Sequence, residues 1–241
     1  MSASDKLFAA EGQWLMGRVM PRELLEAIGR YLELVVPGRE DELVGEIRGK
    51  AEKLAEADQD MVVDGPSKGL LSLSGVVLAA AQVLSPVFDG DSRRTILFLQ
   101  HVLGTVLRRP MEVAFQVLGK REHALDAVDS ACRKDFAMYG RYFDIDFERP
   151  EPSTFEMRVG RCFFRDFFAR HDAQAVTTVL CAWDVNWMKA LDPAVSGLRA
   201  ERTSLLSLGD DACRFRVLET DDPLAGYIDK LEQQAPGPTA G

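Results

Sequence analysis

Phe155–Glu219 is the stretch whose reading decides the fold: FEMRVGRCFFRDFFARHDAQAVTTVLCAWDVNWMKALDPAVSGLRAERTSLLSLGDDACRFRVLE. Its opening alternates, with apolar Phe155, Met157 and Val159 separated by Glu156, Arg158 and Gly160. That is the two-residue period of a strand with one buried face. From Phe163 to Arg170 the spacing becomes helical, and Gln174–Leu191 predicts a second helix with Val176, Val179, Leu180, Val185 and Met188 available for packing. Leu198–Leu206 and Ala212–Leu218 return to strand, joined around Gly209 as a hairpin. Cys213, Phe215 and Val217 share one face of it, so Cys213 is expected to point into a core.

Upstream the pattern is helical. Residues 6–19 predict a short helix ending before Pro21, which suits the first turn of the next, PRELLEAIGRYLELVV. Pro37-Gly38 stops that helix, and a charged surface helix follows over Glu40–Ala57 with a narrow stripe of Leu43, Ile47 and Leu54. The turn formers of DQDMVVDGPSKG, residues 58–69, read as a loop. Leu70–Leu84 is apolar on nearly all sides and interleaved with Gly75 and alanines, the mark of a buried central helix. Helical stretches from Ser92 to about Leu118, interrupted near Pro110, and from Lys120 to about Tyr142 complete a region without a convincing strand. The expected class is α+β: a helical N-terminal half, residues 1–148, packed on a C-terminal module, residues 149–231. That module carries a small antiparallel sheet and two helices. A Pro/Gly-rich tail over 232–241 is expected to be disordered, and the whole to form one structural unit.

Composition narrows the function. A net charge of −9 lacks the electrostatic footprint of a nucleic-acid or anionic-lipid binder. The opening MSASDKLFAAEGQW is no signal peptide, and Val76–Leu84 is too short to span a bilayer. Four cysteines, Cys132, Cys162, Cys181 and Cys213, lie far apart without zinc-ligand spacing. The expectation is a cytoplasmic protein with reduced thiols, no structural metal and no cofactor.

The order RCFFRDFF, LCAWD, ERTSLLSLGDDACRFR resembles the C-terminal signature of the L-2-amino-thiazoline-4-carboxylate (ATC) hydrolase family. The matching positions are Cys162, Cys181, Asp184, Glu201, Arg202, Thr203, Gly209, Cys213 and Phe215. Phe163 and Arg214 depart from it, standing where relatives usually have Pro and often have Asp. The ending is also similar to the 4-vinyl-reductase-like ligand-binding domain, which implies a mixed α+β module that is often dimeric. The first resemblance implies a hydrolase that opens a C–N or C–S bond of a small amino-acid-derived or heterocyclic substrate. Activated water or a Cys162 thiolate would attack, Asp184 would serve the nitrogen side, and Arg202 would pair with the substrate carboxylate. The second implies a non-catalytic small-molecule-binding or sensor module, and other biosynthetic chemistry on the same scaffold is a third reading.

The residues carry readings of their own. Cys162 stands where a strand gives way to a helix, so the helix N-terminus would favour a thiolate; equally, it is a small core residue. Cys181 and Asp184 are three apart on a predicted helix and share its side. Asp184, flanked by Trp183, Val185 and Trp187, needs a partner if buried, or its pKa rises. It is a candidate base, or one half of an ion pair with Arg202. Hairpin register decides whether Arg202 or Glu201 with Thr203 faces the core, because a one-residue slip exchanges them. His171 reads as a helix-end residue or an acid/base. Trp183 and Trp187 read as core or as part of a substrate cage.

Overall fold

In the computed structural model, residues 10 and 12–234 are described. The chain forms two compact units, each assembled from three stretches. The first comprises Met1–Arg108, Lys134–Phe143 and Cys162–Trp183; the second comprises Arg109–Arg133, Asp144–Arg161 and Asp184–Gly241.

The first unit is helical. A π-helical turn, Leu15–Val19, runs without a break into α1 (Met20–Val35), whose Pro21 sits in the first turn as its missing N–H allows. The N-terminal part of the expected 6–19 helix lies outside the described residues. α2 (Glu40–Ala57) buries Leu43, Ile47 and Ala51, and packs on α3 (Gly65–Leu84). Gly75 permits this approach, since a Cβ there would stand 3.1 Å from the Ala51 carbonyl oxygen. α3 begins five residues earlier than its apolar pattern predicts. Asp64 caps it, accepting from the Ser67 amide at 2.9 Å, and the Ser67 hydroxyl accepts from the Asp64 amide at 2.9 Å. What reads as a loop of turn formers, DGPS, is therefore a capping box with Pro in the first turn. The span Gly65–Phe88 is long and apolar enough to cross a membrane, with a mean hydropathy of 1.8, yet 67% of that window is buried inside the protein. It is the centre of a core built with α4 (Ser92–Thr105), α7 (Phe163–Arg170) and α8 (Thr177–Trp183).

The second unit carries the sheet, in the order β1-β2-β4-β3-β5. Its strands are β1 (Asp144–Glu151), β2 (Thr154–Arg161), β3 (Leu198–Ser204), β4 (Cys213–Glu219) and β5 (Ile228–Asp229). The first four strands pair antiparallel, and β5 joins β3 in parallel. β1 lies ahead of the first expected strand, which the alternation places from Phe155. It is an edge strand whose alternation is short, with Ile145 and Phe147 half-buried between exposed Asp144, Asp146 and Glu148, and Pro150 ends the pattern. α5 (Arg108–Gly119) and α6 (Ala124–Asp135) divide the expected long helices at Leu107, which takes φ +51°, and at 120–123. The predicted 174–191 helix is likewise divided: α8 ends at Trp183 and α9 (Val185–Ala190) starts afresh after Asp184. After the short α10 (Pro193–Ser196), the chain ends in α11 (Lys230–Gln234). Glu232 in α11 bonds Lys189 at 3.2 Å, so the expected disordered tail does not begin at 232. Residues 235–241 lie outside the described residues.

Register divides the sheet into two chemically opposite faces. One row reads Phe147, Met157, Phe215, Arg202, Asp229 across all five strands. The neighbouring row, on the other face, reads Glu148, Glu156, Arg216, Glu201, Ile228. An apolar ladder thus ends in a guanidinium and a carboxylate. That is the feature that positions the site.

Candidate functional site

The register question is resolved in favour of Arg202, which pairs with Phe215, while Thr203 is exposed at a shift in the ladder. The Arg202 side chain is 0% exposed, and its guanidinium carbon lies 5.5 Å from the Phe215 ring centroid. A cation so placed must be hydrogen-bonded and neutralised, because stripping it of water costs several kcal/mol. Asp229 does most of this. Arg202 Nε donates to Asp229 Oδ1 at 2.7 Å and Nη2 to Oδ2 at 2.9 Å, a two-pronged bond to a carboxylate that is itself 0% exposed.

Asp184 meets the remaining nitrogen. Arg202 Nη1 donates to Asp184 Oδ2 at 3.3 Å, a longer and single bond. Asp184 occupies the break between α8 and α9, and its side chain keeps 26% exposure. Two carboxylates and one guanidinium leave this cluster with one excess negative charge. Burial pushes the Asp184 carboxyl up to about 6, with Arg202 pulling it down and the Asp229 charge adding to the rise. A carboxyl in that range both takes and gives protons near neutral pH, as a general base or acid requires.

Asp229 is the residue that sequence reasoning missed. A buried Arg demands a carboxylate, and that demand was the available signal; the partner lies 27 positions downstream on a two-residue strand. The segment carrying it is tied down at neighbouring points. Lys230 Nζ bonds both oxygens of Asp210, at 2.7 and 2.6 Å, and Asp210 Oδ2 also accepts from the Leu205 amide at 2.7 Å. Glu232 meets Lys189 and Tyr227.

Other expected site residues fall elsewhere. Glu201 is buried on the opposite sheet face, bonded to Arg199 and 3.9 Å from Arg216. Trp187 is buried, with its ring centroid 5.4 Å from that of Phe115 and 6.0 Å from that of Phe215, which is core packing. Cys213 is buried as expected, and its Sγ accepts from the Leu206 amide at 3.3 Å.

Cys162, Cys181, Trp183 and His171 belong to the first unit. Cys162 is half-buried at the start of α7, and Cys181 is half-buried on α8. The four cysteines form no disulfide. Trp183 Nε1 donates to the Val106 carbonyl at 2.8 Å. His171 follows the last turn of α7, about 13 Å along the axis from Cys162 at 1.5 Å per residue, too far for a nucleophile–base pair. Its Nε2 lies 2.7 Å from Oδ2 of Asp58, whose side chain is 4% exposed and whose Oδ1 lies 3.1 Å from Arg170 Nε. Asp58 ties α2 to α7, so Asp58→Ala is expected to cost about 1–3 kcal/mol in urea denaturation. Unchanged stability would show that the pair carries no structural role.

A family model described as L-2-amino-thiazoline-4-carboxylic acid hydrolase matches residues 97–217. No curated protein and no solved structure matches the chain. Among the described residues, no group of three or more His, Cys, Asp or Glu is placed to hold a metal ion.

Proposed function

The chain belongs to the L-2-amino-thiazoline-4-carboxylic acid hydrolase family, and on that premise we propose that it hydrolyses a C–N or C–S bond in a small amino-acid-derived or heterocyclic substrate, with Asp184 as the base. The observation that carries the reading is the partly exposed Asp184 carboxyl, pushed up to about 6 above a fully buried Arg202.

In this mechanism water adds to an amidine-type carbon while Asp184 takes its proton. The tetrahedral carbon then releases its nitrogen or sulfur, and Asp184 returns the proton to the leaving atom, so that one water is consumed and the base is regenerated. Arg202 acts on Asp184. In this reading the substrate carboxylate that the resemblance assigns to Arg202 binds elsewhere, a view supported by the enclosure of Arg202 and by Asp229 on its two-pronged edge. Opposing the burial that raises Asp184, the guanidinium keeps it mostly ionised at neutral pH.

With L-2-amino-thiazoline-4-carboxylic acid as probe, kcat/KM is expected to rise with pH through a midpoint near 6. The sign follows from a base that must be deprotonated to work. A flat profile between pH 5 and 8 would sink the role of Asp184. Cys162 supports a second reading: it is half-buried, and it stands at a helix start, where thiolates are favoured. Cys162→Ala separates the two. Retained turnover leaves the water route; turnover lost with Asp184→Asn still active transfers the role to the thiol. No turnover in the unmodified protein, with the probe bound stoichiometrically, would favour a binding module.

A further inference from the structure

Arg202 has three nitrogens and two carboxylate neighbours, and the way they are shared is unequal. Asp229 takes Nε and Nη2 at 2.7 and 2.9 Å, in the parallel geometry that Arg forms with a carboxylate. Asp184 receives one donor at 3.3 Å. Turned the other way, the fork would grip Asp184, the carboxylate would be held ionised and doubly bonded, and its capacity to accept a proton would fall. The arrangement depends on a strand of two residues, Ile228–Asp229, laid parallel on β3 so that Asp229 stands beside Arg202 in the ladder.

We propose that Asp229 is the positioning residue for Asp184: by occupying the forked edge of Arg202 it leaves Asp184 with a single bond and available for proton transfer. The inference rests on Asp184 being the base. It assigns a function to the C-terminal segment, Tyr227–Glu232, which lies along β3 through the Glu201–Ile228 and Arg202–Asp229 pairs and meets the cluster through Arg202. The segment is held for the purpose. Asp229 Oδ1 also accepts from the Leu231 amide at 3.2 Å, and the Lys230–Asp210 pair pins the next residue to the β3–β4 turn.

Within the second unit, the charges facing Asp184 are those of Arg202 and Asp229. Lys189 on α9 is directed to Glu232 and Tyr227, Lys230 to Asp210, and Glu201 to Arg199 and Arg216 on the far side of the sheet. Removing the Asp229 charge therefore changes the balance at Asp184 in one direction. Asp229→Asn leaves Arg202 with Asp184 as its sole counter-charge in the cluster, which draws the fork across and makes Asp184 the stronger acid. The cluster goes from one excess negative charge to none, so the variant keeps its buried cation neutralised.

The test is direct titration of Asp184 by carboxyl carbon-13 NMR on the full chain, the resonance being assigned by its loss in Asp184→Asn. In Asp229→Asn the midpoint is expected to fall by about one unit or more, and the acid limb of kcat/KM to fall with it. An unmoved Asp184 midpoint overturns the proposal, leaving Asp229 a structural partner only. A midpoint that falls while the acid limb stays put supports the Asp229–Arg202 arrangement and removes Asp184 as the base. Should Asp229→Asn not fold, nitrogen-15 NMR of the unmodified protein decides. Arg202 Nε–H stays protected from exchange throughout the Asp184 titration if Asp229 holds the fork, and follows that titration if it does not.

Discussion

Asp184→Asn is expected to lose about two to four orders of magnitude in turnover and, at the same time, to become more stable at neutral pH. The two effects have one cause. The Asp184 carboxyl is raised from 3.8 to about 6, chiefly by burial. Between those pH values the folded protein holds a proton that the unfolded chain has released. A group of this kind contributes stability that is whole below about pH 4 and is lost as pH rises through about 6. Two units at about 1.4 kcal/mol each bound the cost carried at pH 7.5 at about 3 kcal/mol. Solvent reaches the side chain, at 26% exposure, and lowers it; a gain of about 1–3 kcal/mol is expected for the neutral amide. Asn keeps an acceptor for Arg202 Nη1, and Arg202 keeps Asp229, so the substitution orphans no buried charge.

Urea denaturation at pH 7.5 and again near pH 4 checks this, because the advantage of Asn disappears once the wild-type carboxyl is protonated. Equal stability at both pH values would contradict the raised carboxyl. Stability gained with activity lost is the signature of a group kept for chemistry against the interest of the fold.

How far the sequence foretold this site depends on how local each contact is. The strands of Phe155–Val159 and Cys213–Val217 were legible because each buries one face, and period-two alternation records that directly. Cys213 pointing inward followed from the same count. Arg202 was placed only as far as its register allowed. Two registers fit the alternation of β3, and the difference lies in the Leu206–Leu208 turn and the ladder shift at Thr203, which no propensity fixes. The break at Asp184 escaped notice because neither Gly nor Pro marks it, and the apolar spacing of α8 runs on into α9. Asp229 was invisible for a different reason. A two-residue strand has no period, and its partner lies 27 positions away, so only the charge demand of Arg202 pointed toward it. DGPS misled in the opposite sense: the residues that favour turns are those that cap helices, and the side-chain bonds of Asp64 and Ser67 decide between them.

Arg202→Met is expected to be the most destabilising of these changes, at about 3–5 kcal/mol. Methionine matches the buried stem of arginine, so the loss comes from charge and hydrogen bonds and not from an emptied core. It leaves Asp184 and Asp229 facing each other without the cation, with Asp229 fully enclosed. Two such carboxylates cannot both stay ionised, and one must bind a proton to fold. The variant should therefore be worst at pH 8 and recover toward pH 4, opposite to the acid sensitivity of an ordinary ion-paired protein. Adding Asp229→Asn to Arg202→Met should restore part of the stability, since it removes the enclosed orphan. Adding Asp229→Asn to Asp184→Asn should do the reverse: each single variant leaves Arg202 one of these two carboxylates, whereas the pair removes both. The double Asn variant is expected to fall short of the sum of its parts by about 2 kcal/mol or more in a double-mutant cycle. Additive effects would mean that Arg202 does not couple the two carboxylates, and the cluster would then be two separate ion pairs that happen to share a residue.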